Sequence, residues 1–382
     1  MSIFDSPKDS YSNGLAFGTR GINDVRVISD IINLIDPRDT PLLDALGGLD
    51  AARSKFRIRA NGTMIEWLED EYSPLATTVA TIAATDTTTV TVADASVFSV
   101  GHVALVGSEQ MWISAINTTS NVLTVTRAFN GTTGSTAATN AAITVVGMAR
   151  LEGSATTFDS LVDITAPYNY TSIFQAGLKI TGTEMAVDQL GYSDVWTYQA
   201  NKKMKEMFRL VEKNLFYGGR NAGSATTPRS FGSLSTFITN NSVNAGGGIA
   251  KADVDDLMEA IFMDGGSPNV LVINPAVGND FRTLIDSSSF VRMTQENTSL
   301  GMKPITMVDT QYGSLKLIED RWCPVGTAWG LDTNKIGLYT LRPFGWKPNA
   351  HTGDFESADL VGEISLVVAN DKAHGYIYGI TS

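Results

Sequence analysis

The sequence predicts an α+β protein into which a second, small all-β domain is inserted. Three observations carry this. Residues 75–148 break with their flanks: Asp86, Asp94, Glu109 and Arg127 are their only charged groups, Lys and Pro are absent, and Thr, Ala and Val dominate. Residues 194–217 hold one long helical period, followed by a helix–strand–helix pattern. The chain beyond residue 305 is rich in short strand-like runs. Insertions succeed where the ends of a hairpin lie close together at a surface. The host therefore carries a projecting two-stranded arm, which reaches for a neighbour.

In chain order, residues 1–21 are polar with no apolar period and predict a mobile arm that orders against a partner. Ile22, Val25, Ile28, Ile31, Ile32 and Ile35 recur at helical spacing, so a helix runs from Asp24 to Ile35 and stops at Asp36-Pro37. From Arg53 the period becomes two. Arg53, Lys55, Arg57 and Arg59 share one face of a strand, opposite Ser54, Phe56 and Ile58. An acidic segment, Glu66 to Glu71, comes next. Inside the low-charge region, Val90/Val92, Val103/Leu105, Ile113, Leu123/Val125 and Ile143/Val145 sit in short alternating runs. Turns at Asn117–Asn121 and Asn130-Gly131 separate them, which predicts a small sandwich or barrel over 77–148.

The longest helix spans Asp194 to Tyr217, with an apolar stripe through Trp196, Ala200, Met204, Met207, Phe208, Val211 and Leu215. Asp194 can cap its start and Gly218-Gly219 ends it. Lys202, Lys203, Lys205, Arg209 and Lys213 outnumber Glu206 and Glu212 on its polar side. Residues 219–250 predict a loop, Ala252–Met263 a helix, Val270–Ile273 a buried strand, and Asn274-Pro275 the start of another helix. Strands are expected at Ile305–Val308, Ser314–Glu319, Lys335–Leu341, Leu360–Val368 and Tyr376–Ile380.

The chemistry is sparse. With a net charge of −12 and a pI near 4.7, strong nucleic-acid binding by the whole chain is not expected. Cys323 is the single cysteine, so no intrachain disulfide forms. Nothing places it with His351 or His374 as a nucleophile–base pair. The three histidines, at 102, 351 and 374, lack zinc spacing. Asp253, Asp255 and Asp256 suit a helix N-terminus better than calcium. Gly218–Gly223 follows a helix instead of opening one, so it is not a phosphate loop. No catalytic residue, metal or cofactor is expected, and no apolar run approaches a membrane span.

The order of elements resembles the major capsid protein fold of tailed bacteriophages, shared with herpesviruses and encapsulin shells. The segment Ile35-Asp36-Pro37-Arg38-Asp39-Thr40-Pro41-Leu42-Leu43 resembles the stretch after the N-arm helix in one phage branch. Val270-Leu271-Val272-Ile273-Asn274-Pro275, with Phe281-Arg282-Thr283-Leu284, resembles the axial-domain strand and helix. Asp309 to Leu317 resembles the hairpin that follows it. Gly353-Asp354, Gly362–Leu366 and Ala373-His374-Gly375 resemble that branch's C-terminal strands, and a β-rich insertion in the extended loop is typical there.

The resemblance implies an N-terminal arm and helix (1–49), an extended loop (50–76 and 149–170) carrying the inserted domain (77–148), a peripheral domain with a spine helix (171–230 and 335–382), and an axial domain (231–334). It implies a structural protein, not an enzyme, forming hexamers and pentamers of an icosahedral head around double-stranded DNA. The DNA would be contacted weakly and non-specifically. Portal, scaffolding and decoration proteins are the further partners implied, with assembly in the host bacterial cytoplasm. Some family members crosslink through a loop lysine, but no Lys occurs between Lys55 and Lys179, so that chemistry is not expected. In the family that the chain resembles, the extended loop lies across an adjacent subunit, close to its spine helix. This makes Arg53, Lys55, Arg57, Arg59, Glu66, Glu69, Asp70, Glu71, Lys202, Lys203, Lys205 and Arg209 the candidate interface residues. An encapsulin-type shell or tail subunit is the nearest rival; a hydrolase with a carbohydrate-binding module is a more distant one.

Overall fold

The structure, a computed structural model, describes residues 40–47, 61–155, 162–187, 194–278, 280–281 and 307–381. The expected arm 1–21, the helix from Asp24 to Ile35 and the strand Arg53–Arg59 lie outside the described residues. In chain order the elements are α1 (Pro41–Ala45), β1 (Met64–Glu66), β2 (Ala76–Thr78), β3 (Thr89–Thr91), β4 (His102–Val106), β5 (Glu109–Asn117), β6 (Val122–Thr126), β7 (Ala142–Met148), β8 (Tyr168–Tyr170), β9 (Ser172–Thr181), α2 (Gly182–Ala186), α3 (Val195–Tyr217), α4 (Leu234–Phe237), β10 (Ser242–Gly247), α5 (Lys251–Met263), β11 (Val270–Ile273), β12 (Met307–Thr310), β13 (Gly313–Glu319), β14 (Ala328–Leu331), β15 (Ile336–Pro348), β16 (Phe355–Val368) and β17 (Gly375–Ile380). They fall into two units, Glu66–Pro167 and the remainder.

In the smaller unit the strand order is β2-β7-β4-β5-β6-β3. The two end strands also meet. Ala80 N–H donates to Thr91 O and Ala93 N–H to Thr78 O, both at 2.8 Å, and Val79 bridges Val92. The sheet thus closes on itself as a barrel, which removes its open edges. Alternation supplies the core: Val90, Val106, Met111, Ile113, Leu123 and Ile143 are buried inside. Asn121 and Asn130 take left-handed conformations at the turns (φ 54° and 56°), a role Asn fills at little cost.

Two of this region's few charges are inside. Glu109 is fully buried, and Arg127 meets it with two bonds, Nε to Oε1 at 2.7 Å and Nη2 to Oε2 at 2.6 Å. The N–H groups of Ala128 (3.0 Å) and Ser135 (2.7 Å) also donate to the carboxylate. Arg127 in turn donates to the carbonyls of Ala84, Thr87 and Ser135. Irregular loops cannot satisfy their own backbone groups, and one ion pair does it for two of them. Burial pushes the Glu109 carboxyl up, but these donors outweigh it and hold it at about 2.

The larger unit is built on β11. All four of its residues are buried, because its sheet is covered on both faces. Leu271 and Ile273 point into a core with Val254, Leu257 and Ile261 of α5. Val270 and Val272 point into a second core with Val211, Leu215 and Phe216 of α3 and Leu42 of α1. The sheet order is β10-β17-β14-β11-β13-β12, with β11 and β13 parallel and β12–β13 a hairpin. A second sheet, β15-β16-β9, packs on α3 through Trp196 against Trp346 and Phe208 against Phe344. Asp194 caps α3 by accepting from Trp196 N–H at 2.9 Å. Gly218 ends it for want of room: a Cβ there would lie 2.7 Å from Asn214 O and 2.8 Å from Phe231 O.

Three expectations need correction. Residues 219–250 are not all loop, since α4 and β10 form within them. Ser-Val-Asn-Ala-Gly-Gly has weak strand character, and parallel pairing to β17 overrides it. Strands β9 and β14 were not legible as strands, and β15 and β16 run longer than expected. Glu212 is not on the polar face of α3; it is fully buried.

Replacing Arg127 with Met leaves Glu109 charged, buried and short of its main partner. The variant is expected to lose about 3–5 kcal/mol, read as a lower urea midpoint of the barrel by the fluorescence of its one tryptophan, Trp112, in a background where the other tryptophans are Phe. A loss under about 1 kcal/mol would mean that the pair contributes no more than a surface ion pair.

Candidate subunit-contact surfaces

The first candidate surface is the pair of extended segments at the base of the barrel unit. Glu69 and Thr165 exchange two backbone bonds at 2.9 Å, and Trp67 N–H donates to Pro167 O at 3.1 Å. These bonds hold the segments antiparallel. Glu66, Asp70 and Glu71 are exposed there. Glu69 is half-buried and accepts from Trp67 Nε1 at 2.7 Å. Large apolar side chains stand between these acids. Leu68 is 75%, Tyr72 100% and Leu75 62% exposed, with Leu151 at 72% and Ile164 at 60% on neighbouring stretches. Sequence reasoning weighed the charges here and passed over the apolar residues. Their signal was present, since Leu68 and Tyr72 sit in a run whose other members are acidic.

The second surface is α3. Lys205 is exposed, while Lys202, Lys203 and Arg209 are half-buried. Lys203 Nζ pairs with Glu206 at 2.8 Å, one turn along the same helix. The Arg209 guanidinium lies 5.6 Å from the Trp322 ring centroid. The structure therefore gives Glu69, Lys203 and Arg209 contacts within their own units. Arg53, Lys55, Arg57 and Arg59 lie outside the described residues.

The side chains weighed for catalysis have structural surroundings. Cys323 is buried, with Sγ 3.7 Å from Thr327 Oγ1, and burial pushes its thiol up to about 12. Such a thiol is not a nucleophile. His374 is fully buried, and its Nδ1 accepts from Asp332 N–H at 3.1 Å. That bond fixes the neutral ring with the proton on Nε2. Among the described residues no cluster of His, Cys, Asp and Glu could hold a metal ion, and no helix is long and apolar enough to cross a membrane.

Comparison with known proteins adds a family. A family model described as SU10 major capsid protein matches residues 10–381. No curated protein matches the sequence. Among solved structures, the chain is similar to the cyanophage A-1(L) capsid asymmetric unit, with a TM-score of 0.55 and 11% identity over 93% of this chain and 98% of that one. It is also similar to the capsid of a native GTA particle, with a TM-score of 0.52 and 11% identity over 94% of this chain and 97% of that one. At such identities the likeness shows a shared fold, the phage capsid fold.

Buried His374 generates a pH prediction. Burial lowers its pKa from 6.5 to about 4. Between those values the unfolded chain binds the proton and the folded chain does not, so stability falls as pH drops from about 6.5 towards 4. The slope approaches about 1.4 kcal/mol per pH unit. Urea midpoints of wild type and His374→Asn are expected to converge across this window as only the former loses stability. Parallel curves would mean that other groups set the acid limit.

Proposed function

The chain belongs to the SU10 major capsid protein family, and from that premise we propose that its copies close into the hexamers and pentamers of an icosahedral head around double-stranded DNA. The chain is a phage major capsid protein, a structural component of the virion shell and not an enzyme. Closed rings are made by heterologous contacts, each subunit offering one surface and receiving another. The segments about Glu66–Leu75 and Leu151–Pro167 act as the extended loop and the barrel as its inserted domain. The units with α3 and with α5 act as the peripheral and axial domains, and residues 1–49 as the arm. Assembly takes place in the host cytoplasm with portal, scaffolding and decoration proteins as partners.

The observation that carries this reading, beyond the family match, is the exposed row Leu68, Tyr72 and Leu75. A lone chain gains nothing by exposing a whole tyrosine and two leucines within eight residues. Magnitudes then rank the contacts. Burying each of these side chains contributes about 1.5–3 kcal/mol, whereas an exposed ion pair contributes ~0–1 kcal/mol. Apolar burial on the neighbour supplies the affinity. Pairs between the acids Glu66, Glu69, Asp70 and Glu71 and the bases Lys202, Lys203, Lys205 and Arg209 set its register and bias the encounter. The net charge of −12 keeps the wall from gripping DNA tightly, which suits packaging and release.

Negative-stain electron microscopy of the expressed protein, with and without a scaffold, is expected to show shells, rings or sheets. Leu68→Ser with Tyr72→Ser should abolish them while the circular dichroism of the subunit stays unchanged. Reversing Lys202, Lys203 and Lys205 to Glu should lower the yield only several-fold, and adding Glu66→Lys, Glu69→Lys and Glu71→Lys should restore part of it. A protein that stays monomeric at high concentration under every condition would overturn the shell reading. Full assembly of the Leu68/Tyr72 variant would remove the extended loop from the interface.

A further inference from the structure

β9 is the end strand of its sheet. All ten of its residues pair with β16 on one side, and among the described residues no strand lies on the other. An open edge of that length pairs readily with any extended chain that reaches it. Its two faces differ. Phe174, Ala176, Leu178 and Ile180 are buried or half-buried, and Leu178 and Ile180 share a small core with Val195 of α3. Ile173, Gln175, Gly177, Lys179 and Thr181 are exposed.

The chain beside it arrives in the right direction. Thr171, just before β9, donates its N–H to Thr63 O at 2.9 Å. Farther along, Trp67 N–H donates to Pro167 O, and Glu69 exchanges two bonds with Thr165. One residue back along the first strand thus matches one residue forward along the second. Carried past Thr63, this register sets Ala60 against Phe174, Ile58 against Ala176, Phe56 against Leu178 and Ser54 against Ile180. Arg59, Arg57, Lys55 and Arg53 fall against Gln175, Gly177, Lys179 and Thr181.

We propose that the open edge of β9 is a docking edge for residues 53–61 of the same chain, which add to the sheet as a fourth strand. Those residues lie outside the described ones, and three features of the described chain select them. The first is the match of faces. Directly opposed residues share a face, so the apolar positions of the segment meet buried positions of β9 and the basic ones meet exposed positions. A register one residue off would drive the four cations into the margin of the core. The second is phase. Buried positions are odd-numbered before the edge begins, at Asn169 and Thr171, and even-numbered along it, at Leu178 and Ile180. The other strand changes in step, from Ile65, buried in β1, to Phe56 and Ile58, with Gly62 between them to absorb the change. The third is charge. Arg57 faces a glycine, and Asp359, the partner of Gly177 on β16, holds Oδ1 3.4 Å from where a Cβ on that glycine would stand. The guanidinium passes over Gly177 to reach this carboxylate. Lys55 faces Lys179, whose Nζ is turned away over the Phe355 ring, 3.6 Å from its centroid. The docking lies within one subunit and holds with or without a shell.

Lys55 and Lys179 are consecutive lysines of the chain, so an amine cross-link between them reads the docking directly. Opposed Cβ atoms stand about 5 Å apart, within reach of disuccinimidyl tartrate. Full-length protein is treated at low concentration as a mixture of light and heavy-isotope-labelled chains. The Lys55–Lys179 link is expected, with both peptides carrying the same label. Phe56→Asp, which drives a charge against the buried face, should cut its yield about tenfold or more. Arg59→Asp, on the open face, should keep it, with β11 and β14 in both variants exchanging hydrogen as in wild type. The docking is overturned if no such link forms in wild type or if the two variants lose it alike. It is also overturned if the link joins only chains of different label, which would give the edge to a second copy.

Discussion

A buried backbone N–H or C=O must find a partner, and this chain meets that demand with buried polar side chains wherever its loops are irregular. Glu109 and Arg127 close the loops of the barrel. Glu212 caps α1. Glu363, nearly fully buried, accepts from Thr171 Oγ1 at 2.6 Å and Arg342 Nε at 2.9 Å, and pairs with Arg229. Arg229 then donates to Thr171 O at 2.9 Å. Asn169 uses its whole amide, donating to Gly232 O and Leu366 O and accepting from Gly232 N–H and Tyr170 N–H. Each knot joins segments distant in sequence. Each costs desolvation that only complete pairing offsets, so these sites fix one arrangement of loops where apolar packing would accept several.

Local period made much of the fold legible. The strands about Val90, Val103, Ile113, Leu123 and Ile143, the helices α3 and α5, and β11 with its following Asn-Pro all stand where alternation, helical spacing and capping residues put them. What escaped was decided by partners at long range. β10 is a strand because β17 offers it a ladder, and Ser242–Gly247 contains nothing that says so. β9 reads locally as mixed, with Gln175, Gly177 and Lys179 on it, yet all ten of its residues pair with β16. The buried charges escaped for the same reason. Glu212 falls at a position that looks polar by composition, and only the arrival of α1 from the far N-terminal side turns that position inward. The acidic segment and the basic helix face are both visible in the sequence as charge patterns. The sequence did not reveal that Glu69, Lys203 and Arg209 are already engaged, because side-chain pairing is set by rotamer and packing, not by spacing alone.

A shell subunit needs surfaces that stay soluble before assembly and bury well afterwards. The acids around Leu68 and Tyr72 serve the first need, since charge beside an apolar residue discourages unspecific association. Barrel closure serves it too, because an open six-stranded sheet would present edges to every other copy in the cell. The barrel's exterior is Thr-rich and carries few charges, the exposed Asp86 and Asp94 among them. It adds little charge to the unit beside the acidic segment Glu66–Glu71.

Buried titratable groups then set limits from both sides. Neutral His374 is lost to protonation in acid, and burial holds the Glu212 carboxyl up at about 9, so its proton is lost only in base. The first limit lies on the strand side of the sheet near β17, the second where α1 meets α3. They act on different elements, so the two failures need not look alike. Acid works against the six-stranded sheet that holds β11, β14 and β17 and lowers global stability. Base works against a five-residue helix at the periphery of one core and lowers a local one. Local opening always costs less than global unfolding. A carboxyl that holds two backbone N–H groups of α1 therefore sets a local limit, and a histidine bonded to the sheet a global one.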